Sequence, residues 1–138
     1  MGGFRRIALR TRELARRFDA PAFLVFATEQ EFLQAYGITG YSPRIDFLRN
    51  FLVAVHGGAC PSGGYRVSIE GIVHDEDHGT VRVRFEEPGP DEVVTLVVTY
   101  PQDTVLVPKH ARCRQRQVHF SFVDERGNHL ARTSVNTG

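Results

Sequence analysis

The sequence predicts an α+β, β-rich protein: an antiparallel sheet folded as a sandwich or partial barrel, with one short helix near the N-terminus. Three observations predict it. After residue 50 the apolar residues recur with period 2, turn-forming clusters separate those runs at hairpin spacing, and one capping signature introduces a single helical stretch. The 138 residues suffice for one domain with its own core, and no repeat, low-complexity tract or linker divides residues 1–138.

In chain order, residues 4–10 alternate weakly (Phe4, Ile7, Leu9) and predict a short strand. Leu14 and Phe18, four apart, predict a short basic helical turn over 12–18, ended by Pro21. Phe23 to Phe26 read as a buried strand. Thr28-Glu-Gln-Glu31 is a capping box, with the threonine oxygen taking the Glu31 amide and Glu31 reaching back to residue 28. The helix behind it should bury Phe32, Leu33 and Tyr36 and stop at Gly37. Gly40 to Pro43 is a loop. Strands are then expected at Phe51–His56, Tyr65–His74, Thr80–Glu86, Val93–Tyr100, Thr104–Val107 and Val118–Val123. Between them stand Cys60-Pro-Ser-Gly-Gly64, Asp75-Glu-Asp-His-Gly79, Pro88-Gly-Pro-Asp91, Pro101-Gln-Asp103 and Glu125-Arg-Gly-Asn128, all turn chemistry. The chain from about Arg132 reads as loose. Phe26, Phe32, Phe51, Val53, Val67, Ile69, Val83, Phe85, Val94, Leu96 and Val98 are the expected core.

Composition narrows the function. Apolar residues make up 41% and charged residues 24%, the balance of a folded globular chain. The longest apolar runs, Ala20–Ala27 and Phe51–Val55, fall far short of the ~20 residues a transmembrane helix needs. Arg16-Arg17 before Ala22–Ala27 resembles a leader in outline. Asp19 interrupts it, however, and Thr-Glu-Gln-Glu stands where a cleavage site would be, so the run reads as a core strand and the cytoplasm is favoured. A net charge of +1 gives no global pull toward nucleic acid or anionic lipid. Locally, Arg5, Arg6, Arg10, Arg12, Arg16 and Arg17 face one carboxylate, Glu13, and Lys109, Arg112, Arg114 and Arg116 form a second basic stretch. Such arginines can contact phosphates, yet no nucleic-acid fingerprint accompanies them, and a solvated or partner-facing basic edge is the simpler reading.

Catalytic signals are thin. His74-Asp-Glu-Asp-His78 collects two imidazoles and three carboxylates but sits at a hairpin tip, where solvated acidic residues are ordinary. Cys60 and His56 could pair as thiol and base, with no third residue to orient them. Two cysteines, Cys60 and Cys113, make no disulfide framework, and reduced thiols fit a leaderless chain better than one bridge. No catalytic residue, metal ligand or cofactor is assigned, and the chain is expected not to be an enzyme.

The loop Gly57 to Tyr65 is the candidate site. Pro61 fixes φ and suits the second position of a turn from Cys60 to Gly63. Gly57, Gly58, Gly63 and Gly64 permit positive φ and the close approach of another backbone, and Ser62 stands at the tip. Tyr65 offers a large ring with a polar end where the chain re-enters the sheet; it serves equally as a contact anchor or as packing on its own sheet.

From Asp46 to Lys109 the chain resembles the C-terminal domain of the protease-complex subunit PrcB family. The resemblance lies in Asp46-Phe47, Phe51-Leu-Val-Ala-Val-His-Gly57, Pro61-Ser-Gly-Gly-Tyr65, Thr99-Tyr-Pro101 and Val105-Leu-Val-Pro-Lys109, in that order. The family usually has threonine where Ser62 stands, and its proteins are often exported or lipid-anchored. The resemblance implies a non-catalytic accessory module with a protein partner, a protease or protease complex. It supplies no catalytic residue. Pro61, Gly64 and Tyr65 also echo the loop of chagasin-type cysteine protease inhibitors, which keeps a loop-wedge inhibitor as the alternative. The tryptophan contacts of those inhibitors have no counterpart in a chain without tryptophan.

Overall fold

Strand β3 (Asn50–His56) explains the architecture, because Phe51 to His56 are all buried and both of its faces need a cover. In the computed structural model, which describes residues 4–7, 18–37, 45–74, 77–109 and 117–136, each face has one. The other elements are β1 (Arg5–Ile7), β2 (Ala22–Phe26), α1 (Glu29–Tyr36), β4 (Arg66–His74), β5 (His78–Glu86), β6 (Gln102–Pro108), β7 (Gln117–Val123) and β8 (His129–Asn136). Two four-stranded sheets form, in the orders β1-β6-β3-β2 and β4-β5-β7-β8. Their inner faces meet through Phe51, Val53, Val55, Val105 and Val107 on one side and Ile69, Val81, Val83, Phe120 and Phe122 on the other, as in a β-sandwich. On the outside of the first sheet, α1 lays Phe32 and Tyr36 over Phe26, Leu52 and Leu106. The α+β, β-rich fold with one short helix is therefore present, as two sheets and no closed barrel.

The helix ends follow the sequence. Thr28 Oγ1 accepts the Glu31 amide at 3.3 Å, and Gly37 closes the helix at φ 63°. Glu31 reaches back to residue 28 as expected, its Oε1 accepting from Thr28 Oγ1 at 3.1 Å, and it also accepts the Ala27 amide at 3.2 Å. Leu33 is half-buried. A polar cluster joins the sheets: Asp103 Oδ2 on β6 accepts the Ile69 amide of β4 at 2.7 Å, the same carboxylate takes Arg6 Nε at 2.8 Å, and Arg6 Nη2 on β1 donates to Ile69 O at 2.9 Å.

Four expectations need correction. Val93–Tyr100 forms no strand apart from an isolated bridge between Thr99 and Cys60. Its neighbours in the chain cannot take it as a hairpin partner, β6 lying between β1 and β3 and β5 between β4 and β7, and the run joins neither sheet. Leu96 and Val98 are consequently exposed rather than core, Val94 is half-buried, and Phe85, near the end of β5, is partly exposed. The tail is not loose: β8 pairs with β7 to Asn136 and places Val135 in the core. Finally, β5 and β7 run parallel. A strand arriving from the other sheet, as β7 does after β6, is free of the hairpin constraint that would make it antiparallel. The expected turn over 12–18, the Gly40–Pro43 loop, Cys113 and the second basic stretch beyond Lys109 lie outside the described residues.

Candidate functional site

The chain crosses between the sheets twice at the same end of the sandwich. Residues 57–65 carry it from β3 to β4, and residues 87–101 return it from β5 to β6. The two crossovers are bound to each other. The Gly57 amide donates to Pro101 O at 2.8 Å and the Gly63 amide to Thr95 O at 2.9 Å. Cys60 and Thr99 exchange amide bonds of 2.8 and 2.9 Å, and Thr99 Oγ1 donates to Ser62 O at 2.7 Å. Behind them the Ala59 amide donates to Asp19 O at 2.9 Å.

This changes what the glycines do. Gly58 and Gly64 have φ of 82° and 88°, where a side chain is strained. A Cβ at Gly58 would come within 2.9 Å of Asp19 O, and one at Gly64 within 2.8 Å of Pro88, Glu92 and Val94 side-chain atoms. At Gly63 it would lie 2.7 Å from Thr95 Oγ1. The backbones that come close to this loop are its own chain's. Of the sequence-derived site residues, Pro61 is exposed, Gly57, Ser62, Gly63, Gly64 and Tyr65 are half-buried, and Gly58 is buried.

What the loop holds up is a surface that sequence reasoning missed. Residues 93–98 form an arm on which Val93 is 97% exposed, Leu96 89%, Val97 60% and Val98 57%. Exposed carboxylates Glu87, Asp91 and Glu92 lie beside it in sequence. Isolated exposed apolar residues are ordinary; four within six positions are not, and such groupings mark interaction surfaces. A signal was available. Val93-Val-Thr-Leu-Val-Val98 has no polar alternation, so it suits a strand covered on both faces or a surface awaiting a cover, and the run joins neither sheet.

The pairing of Cys60 with His56 finds little geometric support. His56 shares a 2.6 Å hydrogen bond with the Tyr36 hydroxyl beneath the Phe18 ring, 4.4 Å away, while Cys60 Sγ is directed at Gly58 O, 3.7 Å away. Thiol and imidazole thus answer to different neighbours. Burial pushes the imidazole down to about 4, which keeps it neutral. In the His74–His78 segment, positions 75 and 76 lie outside the described residues, and His78 Nε2 sits 3.3 Å from Ser121 Oγ. Among the described residues no helix is long and apolar enough to cross a membrane.

Comparison with known families bears on the same region. Residues 51–108 match the family described as PrcB C-terminal. The matched segment begins within β3, ends at β6, and so contains both crossovers and the arm. It takes in a little under half of the chain, close to the 46–109 expected from the motifs. The Arg-rich start, α1, β7 and β8 lie outside it. No curated protein and no solved structure matches the chain.

Proposed function

We propose that the protein is a non-catalytic, protein-binding accessory module that works alongside a protease or protease complex, and that it binds its partner through the arm 93–98 and the exposed tip of the Gly57–Tyr65 loop. The single observation that carries the reading is the apolar arm held out in solvent by hydrogen bonds from the glycine loop. The PrcB C-terminal match supports the protease association, since it spans this very region. A loop whose Gly57, Cys60 and Gly63 amides are already spent on the 87–101 crossover is pre-shaped, and a pre-shaped surface loses little entropy on docking. That division of labour favours a binding platform over a wedge inserted by the glycine loop alone.

The test is affinity capture from the source cell with wild type, Leu96→Asp and Leu48→Asp. Leu48 is equally exposed, at 92%, but precedes β3 at the other end of the sandwich. A protease-related protein retained by wild type and Leu48→Asp and lost with Leu96→Asp, at unchanged Tm, is the expected result. Identical captures from all three would remove the reading.

A further inference from the structure

We infer that the arm, which bends at Leu96 and Val97 and forms no strand by itself, is drawn out into one when an extended, apolar, arginine- or lysine-bearing segment of the partner pairs with it by strand addition. The inference rests on the proposed binding site and specifies what fills it. Its first support is composition: Val93, Val94, Thr95, Leu96, Val97 and Val98 are strand formers without a proline or glycine among them. Its composition favours a strand, yet the run joins neither sheet.

The second support is the backbone. Among the described residues, the Thr95 carbonyl is the one main-chain group of 93–98 that takes part in a hydrogen bond, accepting from Gly63. The remaining amides and carbonyls are open to a partner chain, and an exposed, unpaired, β-prone segment is the form in which strand addition takes place. The third is anchoring. Thr95 is tied to Gly63 and Thr99 to Cys60, so Leu96, Val97 and Val98 are presented between two fixed points.

Charge then selects the occupant. Glu87, Asp91 and Glu92 are exposed and form no ion pair among the described residues, and they put an acidic stretch on the N-terminal approach to the arm. An apolar strand bearing cationic residues meets both features, whereas an acidic strand meets repulsion.

The probe is a fluorescein-labelled peptide, Arg-Val-Thr-Val-Val-Arg, with two controls. One carries N-methyl groups on alternate backbone nitrogens, which removes main-chain donors and keeps the side chains; the other has Glu in place of both Arg. Fluorescence anisotropy measures binding, and residue-resolved amide hydrogen exchange of the full chain reports on 93–98. The Arg peptide should bind at least about tenfold more tightly than either control, the step expected from losing one good hydrogen bond or charge match. Amides within 93–98 should exchange freely in the peptide-free protein and become protected on binding. Equal binding of the N-methylated peptide, binding without new protection, or no binding overturns strand addition. Amides already protected in the peptide-free protein, together with a dimer on sedimentation, overturn the choice of partner, because a second copy then fills the strand. Arm-dependent capture of a protein in the previous experiment, with failure here, would leave the site standing and remove only this mode of recognition.

Discussion

Single side chains set the conditions under which this fold persists. His56 is held neutral between Tyr36 and Phe18, and burial lowers it from 6.5 to about 4. An unfolded chain therefore binds a proton at His56 before the folded one does. Its contribution is whole above pH 6.5 and drains away as pH falls toward 4. The expected loss from this residue is about 2 kcal/mol between pH 7 and pH 5. Urea unfolding at the two pH values checks it: His56→Gln should lose less stability over that interval than wild type, and equal losses would contradict the assignment. Asp103 acts between sheets. Asp103→Ala strands the buried Ile69 amide and takes the carboxylate from Arg6, which keeps its 2.9 Å bond to Ile69 O, at a cost of about 2 kcal/mol measured by the same method. Gly64→Ala should cost about 1–3 kcal/mol, since it meets both a φ of 88° and the Pro88, Glu92 and Val94 side chains. A neutral Gly64→Ala would show that the crossovers can separate freely.

At the scale of elements, the capping box of α1 gives the cleanest prediction. Thr28→Ala should lower stability by about 1 kcal/mol, and Thr28→Ser should recover most of it. This helix was legible because its signals are local: Thr28, Glu31 and Gly37 each act within one turn. Strands β3, β4, β5, β6 and β7 were legible for a similar reason, their apolar runs ending at strong turn residues. β8 was not, because its inward positions are Ala131, Thr133 and Val135, small residues that cover β7 without an obvious apolar stripe. The run 93–98 was misread for the opposite reason. Its strand propensity is plain in the sequence, but whether a strand finds neighbours depends on the order of the whole sheet, which no local window contains. The glycine loop was located correctly as a region. That its glycines make room for the chain's own Asp19–Pro21 and Pro88–Thr95 segments is tertiary information.

For the molecule as a whole, the sandwich buries an apolar core and concentrates its unpaired apolar surface at the end where both crossovers meet. That asymmetry links fold to function: β3 and β6, each packed on both faces, form a rigid base, and the crossovers stand on it. Leu96→Asp should accordingly leave Tm within about 1 °C of wild type, because an exposed side chain away from caps and cavities contributes little to stability. The central claim is that the arm is where a protein partner sits. Its most direct measurement places a photo-crosslinking amino acid at Leu96 in one variant and at Leu48 in another, irradiates cells of the source organism, and identifies the adducts. The account predicts a discrete adduct with a protease-related protein from position 96 that position 48 does not give. Indistinguishable adducts from the two positions, or none from position 96, would contradict it.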